Sequence, residues 1–254
     1  MLEVSRLTKK YQRRAVVDEV SFSVAPGEVL GYLGPNGSGK STTVKMLTGL
    51  LEPTYRQARY LGRDIREDMT EFKRILGYVP EEPLVYPYLS GREYLQLAGR
   101  LRGLPENLLD EKADALLNLF ALFEHRFSPI SSYSKGMKQK VLITAALLHD
   151  PEVLIFDEPL SGLDVTTAMI FKNLVSSLAR RGRMILYSSH VLEVVEKVCT
   201  RVLILRQGKV VAHDSVERLR TLLASPSLED VFAQLVVQED TEKIAEEIVS
   251  VMRG

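Results

Sequence analysis

The stretch that most constrains this chain is Gly34-Pro35-Asn36-Gly37-Ser38-Gly39-Lys40-Ser41, which fits the spacing G-x-x-x-x-G-K-[ST]. Its flanks matter as much as its letters. Residues 28–33, apolar after Glu28, predict a short buried strand, and residues 42–47, beginning with Thr42, predict the first turns of a helix. Strand, glycine loop and helix N-terminus together make a phosphate cradle. The glycines let the backbone turn successive N–H groups inward, and the helix start adds unpaired donors and the positive end of its dipole. In that geometry Lys40 reaches β- and γ-phosphates and the Ser41 hydroxyl is placed to ligate Mg²⁺. The competing reading, a turn that binds nothing, is disfavoured because both flanks are right.

The rest of the chain sets limits on what this loop can serve. Lysine plus arginine equals aspartate plus glutamate at 33 each, so no global basic field draws the chain to nucleic acid. The only cysteine, Cys199, excludes an internal disulfide, suits a reducing compartment and, in an apolar run, reads as a buried structural thiol. No apolar run approaches the roughly twenty residues needed to span a bilayer, and the N-terminus lacks a signal-peptide pattern. A membrane role is expected to come through a partner.

Residues 2–8 and 15–24 predict two antiparallel strands joined by a turn over 9–14, since 20–24 alternate apolar and polar. Strands are expected at 57–61 and 75–79, with a charged turn between them. Residues 90–123 turn helical, with breaks at Gly103 and Pro105; Leu116, Leu119, Phe120 and Phe123 suggest one apolar face. This reads as a helical subdomain, about 84–150, inserted in a nucleotide-binding core. Further helices are expected at 137–148, 165–181, 217–224, 228–235 and 240–252, and strands at 153–156, 184–188, 201–206 and 209–213. The 165–181 helix shows Phe171, Leu174, Val175 and Leu178 on one face.

Asp157 and Glu158 follow the apolar strand 153–156 directly. An aspartate at that strand end can hold Mg²⁺ opposite Ser41, and the adjacent Glu158 is placed to polarise a water for in-line attack on a γ-phosphate. Upstream, Tyr133-Ser134-Lys135-Gly136-Met137-Lys138-Gln139 opens a helix, where a serine and a glycine backbone make a second anion site.

Taken in order, these motifs resemble an ATP-binding-cassette (ABC) ATPase. Ser134, Lys135, Gly136 and Met137 occupy the place of its L-S-G-G-Q signature, although only Ser134 and Gly136 match. The form Y-S-K-G-M-K-Q is similar to the export branch whose membrane subunits are separate polypeptides. The resemblance implies a P-loop NTPase α/β core, an antiparallel β subdomain and an inserted α-helical subdomain, over residues 1–224, with 225–254 as a C-terminal helical extension. It implies that Tyr11 stacks on adenine, with Val16 against base or ribose, and that Gly34–Thr42 hold the phosphates. Glu81 stands where the family has a glutamine, bringing a carboxylate toward the Mg²⁺ of Ser41 and Asp157. Asp164 matches the dimer-contact loop but also reads as a simple helix cap. His190 matches the histidine that contacts the γ-phosphate. The implied catalytic set is Glu158, His190 and Lys40, with ATP and Mg²⁺ as ligands.

The implied activity is ATP hydrolysis by two subunits stacked head to tail, the second being another copy or a homologous ATPase. It would drive a separate integral-membrane permease, export being favoured, with the chain cytoplasmic and peripheral on the inner face of the membrane. The rival is a soluble ATPase of a cytosolic machine such as cluster assembly. The DNA-repair branch would need a long coiled coil between Lys40 and Ser134, which is lacking. One departure has no functional account: Tyr55-Arg56 stands where the family often has Ser-Gly, and Arg56 is strained if that turn needs a positive φ.

Overall fold

A computed structural model of the chain describes residues 1–12, 14–236, 248, 251 and 252. At its start β1 (Leu2–Tyr11) pairs antiparallel with β2 (Arg14–Val24), so both strands extend into the span expected to be a turn. β1 also pairs with β4 (Tyr55–Tyr60), which turns back through β5 (Arg63–Asp64), giving a sheet of order β2-β1-β4-β5. Arg56 does adopt a left-handed conformation, with φ of 68°.

The second sheet contains β3 (Val29–Leu33), β6 (Leu76–Val79), β7 (Val153–Asp157), β8 (Met184–Ser188), β9 (Arg201–Arg206) and β10 (Lys209–Ser215), in the order β10-β9-β3-β8-β7-β6. All neighbours are parallel except the β9–β10 hairpin. β3, β7 and β8 are buried along their whole length, as parallel strands covered on both faces must be. Their side chains alternate between two cores. Leu30, Tyr32, Ile155 and Leu186 meet Leu2, Val20 and Phe22 of the antiparallel sheet, while Leu33, Phe156 and Tyr187 meet helices on the other side.

Those helices are α6 (Val165–Arg180), α7 (Leu192–Val198), α8 (Val216–Leu222) and α9 (Leu228–Val236), together with α5 (Lys135–Leu147). Phe171 and Val175 are buried and Leu174 and Leu178 half-buried, as the spacing in α6 predicts. α1 (Lys40–Leu47) lies between the sheets, and Val44, Met46 and Leu47 join the core shared with the antiparallel strands. The helix expected over 240–252 lies outside the described residues apart from 248, 251 and 252.

Two expectations need correction. The charged turn before β6 contains α2 (Met69–Ile75), whose N-terminus is capped by the Asp68 carboxylate accepting from the Glu71 N–H at 2.9 Å. A single buried anchor, Phe72, gave too little apolar periodicity to betray it. The second concerns α4 (Glu106–Leu119), which with α3 (Gly91–Leu101) and α5 forms a separate cluster. Its buried stripe is Leu109, Ala113 and Leu117, whereas Leu119 is 71% exposed. The helix ends at Leu119, so a pattern read through Phe120 to Phe123 crossed into a different backbone: Phe123 belongs to a 3₁₀ turn. Burial here follows what α3 and α5 offer, not the local repeat.

Candidate functional site

β3 delivers the glycine loop to the carboxyl end of the parallel sheet, and α1 leaves it. The helix start is tied to the strand behind it: the Tyr32 hydroxyl donates to Thr43 Oγ1 at 3.0 Å, and Thr43 Oγ1 donates to the Gly39 carbonyl at 3.0 Å. Gly39, the residue before α1, has φ of 106°, and a Cβ there would lie 2.7 Å from the Val16 carbonyl oxygen. Only glycine allows the loop to turn this tightly against β2.

The loop lines a cleft of about 290 Å³ with Val16, Pro35, Asn36, Gly37, Gly39, Lys40, Ser41 and Thr42 on one side. Glu81, Asp157, Glu158 and His190 line the other. Five segments distant in sequence therefore converge, and they include the expected phosphate, metal and catalytic residues. Gly34 and Ser38 form the buried back of the loop, where the Ser38 hydroxyl has no hydrogen-bond partner among the described residues. Tyr11 does not line the cleft. It stands exposed at the end of β1 with the Lys9 ammonium 5.3 Å from its ring centroid.

Charge in the cleft is dominated by three carboxylates against one ammonium. Lys40 Nζ donates to the Gly34 carbonyl at 2.5 Å and the Pro35 carbonyl at 3.2 Å. Burial pushes the ammonium below its ordinary pKa, and Glu158, Asp157 and Glu81 oppose that shift. Burial pushes the Asp157 carboxyl up to about 6, with Glu81 and Glu158 adding to the effect and Lys40 opposing it. A group of oxygen ligands with surplus negative charge fits a hard divalent cation such as Mg²⁺. Ser41, Asp157 and Glu81 are the residues that would hold it.

Glu158 sits just past β7 with φ of 48°, a sparsely populated conformation for a side-chain-bearing residue. Its backbone N–H donates to the Ser188 carbonyl at 2.9 Å, which fixes it to the neighbouring strand. Glu158 Oε2 lies 2.8 Å from His190 Nδ1 and accepts from the Ser189 hydroxyl at 3.3 Å. Ser189 was not foreseen as part of this group; its position beside His190 was the only sequence signal.

Ser134 and its neighbours lie outside this cleft. Ser134 caps α5, its hydroxyl accepting from the Met137 N–H at 3.2 Å, and leaves the first turn of Lys135, Gly136 and Met137 as a second helix start. That start is built against the segment 159–164. A Cβ on Gly136 would lie 2.5 Å from the Gly162 carbonyl oxygen. The buried Gln139 amide donates to the Pro159 carbonyl at 3.1 Å, and Lys140 Nζ lies 3.3 Å from Asp164 Oδ2. Asp164 also caps α6, accepting from the Thr167 N–H at 2.8 Å and the Thr167 hydroxyl at 2.7 Å. These bonds, and then Lys140, hold its carboxyl well below the usual range. The helix cap expected of Asp164 is therefore present. Gln139 and Lys140 escaped the sequence reading because nothing local reveals their contact with a loop twenty residues on.

The family described as ABC transporter matches residues 17–161. The ABC transporter ATP-binding protein NatA of Bacillus subtilis is 33% identical over 243 residues, covering 94% of this chain and 99% of the relative. The linearmycin resistance ATP-binding protein LnrL of the same organism is 35% identical over 237 residues, covering 93% of this chain and 75% of the relative. A solved structure described as an ATP-binding subunit of an ABC transporter superimposes with a TM-score of 0.87 at 34% identity, covering 92% of this chain and 99% of that one.

Proposed function

The chain belongs to the ABC transporter family as an ATP-binding, ATP-hydrolysing subunit, and from that premise we propose that two such subunits close head to tail around ATP to power export through a separate membrane permease. The observation that carries the reading is the convergence of the glycine loop with Glu81, Asp157, Glu158 and His190 on one cleft. The helix start at Ser134 and Gly136 lies apart from it, as a site serving the partner's ATP would.

In this reading the backbone N–H groups of residues 36–42 and the Lys40 ammonium bind the phosphates held by the loop Gly34–Thr42, and Tyr11 and Val16 take the base and ribose. Ser41, Asp157 and Glu81 would hold Mg²⁺, which would supply charge neutralisation to the triphosphate when bound. Glu158 Oε2 accepts the proton of the attacking water, and His190, 2.8 Å away, orients that carboxylate and faces the γ-phosphate. ATP favours the closed pair because only its γ-phosphate spans from Lys40 of one subunit to Ser134 and Gly136 of the next. Hydrolysis removes that bridge.

No described helix is long and apolar enough to cross a membrane. We place the chain on the inner face of the membrane, held by the permease in the groove beside residues 81–100. Export is supported by the likeness of residues 133–139 to the export branch and by the resistance role in the name of LnrL. The second ATPase subunit is another copy or a homologue, and no nucleic-acid partner is expected from the balanced charge. Residues 1–224 would form the ATPase unit, with 84–150 moving as its helical part, and 225–254 its extension.

Glu158→Gln tests the assignment. Turnover should fall about 10²- to 10⁴-fold, while ATP and Mg²⁺ still shift the purified chain from monomer to dimer in light scattering. Turnover equal to wild type would end the role of Glu158 as general base.

A further inference from the structure

Glu158 is gripped by two consecutive residues where β8 ends. The Ser188 carbonyl accepts the Glu158 N–H at 2.9 Å, which fixes the backbone. One residue on, the Ser189 hydroxyl donates to Glu158 Oε2 at 3.3 Å, which bears on the side chain. Ser189 is buried, 3% exposed, and does not line the cleft. It therefore reaches the cleft only through that carboxylate.

A second bond sets the direction of the serine proton. Ser189 Oγ accepts from the Val191 N–H at 3.1 Å, a turn of the side chain onto the backbone two residues ahead. Val191 is the residue before α7, so this turn also shapes the entry to that helix. A hydroxyl carries one proton and two lone pairs. The turn engages a lone pair and leaves the proton, and Glu158 Oε2 is the one acceptor that proton meets among the described residues. Making the turn needs only an acceptor, so the donor has a separate use.

The other group at Oε2 is held less firmly. His190 Nδ1 lies 2.8 Å from the same oxygen, but the His190 side chain is 76% exposed against 11% for Glu158. An exposed imidazole has room to change rotamer, whereas Ser189 is enclosed and already tied to Val191. Glu158 also needs holding, because its φ of 48° is sparsely populated and persists only where the surroundings impose it.

We propose that Ser189 is a positioning residue for ATP hydrolysis, its buried hydroxyl fixing the Glu158 carboxylate in the orientation that receives the proton of the attacking water. This rests on the reading of Glu158 as general base, and adds the group that sets its rotamer. Ser189 itself neither gains nor loses a proton. A donor bonds an ionised acceptor more strongly than a neutral one. What the bond secures here is attack geometry, where about 1 Å of misplacement lowers a rate about 10²-fold. At 3.3 Å the bond is long, so its removal belongs near tenfold, the low end for a hydrogen bond to a charged group.

The test compares wild type, Ser189→Ala and Ser189→Thr as purified full-length chains, and repeats Ser189→Ala in the Glu158→Gln background. For Ser189→Ala, kcat for ATP should fall about tenfold. KM and the affinity for a fluorescent ATP analogue should stay within about twofold of wild type, because no cleft contact is removed. Ser189→Thr keeps the hydroxyl and should recover most of the rate. In the Glu158→Gln background, single-turnover hydrolysis of radiolabelled ATP should change less than about twofold on adding Ser189→Ala, since the group it positions no longer acts as a base. A serine that served only the fold or the turn into α7 would slow both backgrounds alike.

Three results overturn the role of Ser189 and leave Glu158 as general base. They are turnover of Ser189→Ala within about twofold of wild type, an equal loss in both backgrounds, and Ser189→Thr no faster than Ser189→Ala in a chain that melts as wild type does. Glu158→Gln turning over like wild type removes the general-base reading, and this proposal with it.

Discussion

Gly136→Ala probes whether the helix start of α5 and the loop before α6 behave as one body. The added methyl would sit 2.5 Å from the Gly162 carbonyl oxygen, where ordinary contact begins near 3.4 Å, so the two must part by about 0.9 Å. Neither side can yield by changing a rotamer, because the clash is with backbone. Gly162 is itself held at φ of 77°, with the Lys135 side chain 3.1 Å from where its own Cβ would be. Overpacking of this kind costs about 1–3 kcal/mol, and misplacing a positioning group by about 1 Å lowers a rate about 10²-fold. Turnover of Gly136→Ala should therefore fall about 10²-fold. Affinity for a fluorescent ATP analogue at the Lys40 loop of the monomer should change by less than about twofold, since α1 and β3 are untouched. Steady-state hydrolysis, analogue titration and a thermal melt on the same preparation separate these effects. Turnover within about twofold of wild type, in a protein that melts normally, would refute the reasoning.

Three other perturbations have outcomes fixed by local physics. His149 has its pKa pushed down to about 4, chiefly by burial and then by the charge of Arg102, so on acidification the unfolded chain protonates first. Stability is therefore fully present above about pH 6.5 and declines by up to about 3 kcal/mol toward pH 4 through this group. His149→Gln, which keeps a donor for the Leu76 carbonyl, should flatten that decline in urea midpoints between about pH 7 and 4.5; an unchanged slope would exclude the group. Arg56→Gly should release about 1–2 kcal/mol of left-handed strain, less the unfolded-chain entropy of glycine, about 0.4–1 kcal/mol. A thermal midpoint lower than wild type would contradict the strain at φ of 68°. Tyr11→Ala should weaken ATP-analogue binding by about 5- to 100-fold, the range for one aromatic stacked on a base, while Tyr11→Trp should retain it. Equal affinity in all three would remove Tyr11 from the site.

Legibility in the sequence followed the range of the interaction involved. The glycine loop, its strand and its helix could be read because spacing, backbone freedom and helix dipole all act within a dozen residues. The fully buried β3, β7 and β8 could be read from unbroken apolar runs. Where the determining contact was distant, reading failed or fell silent. The buried face of α4 was chosen by α3 and α5. The Asp68 cap of α2 is local, but the helix offered only one apolar anchor, Phe72, whose burial depends on the strands it packs against.

By itself, then, the sequence determined that a phosphate loop enters a helix and that acidic residues follow a central parallel strand. It also determined that a second helix opens on Ser134. Each is a matter of backbone geometry set by near neighbours. Only the tertiary structure decided that Glu81, Asp157, Glu158 and His190 share one cleft with that loop. It alone decided that Gly136 rests on Gly162 and Lys140 on Asp164. The physical reason is that burial and Coulomb interactions act through space. Side chains dozens of residues apart acquire a shared charge, pKa and function only after the sheet has drawn them together.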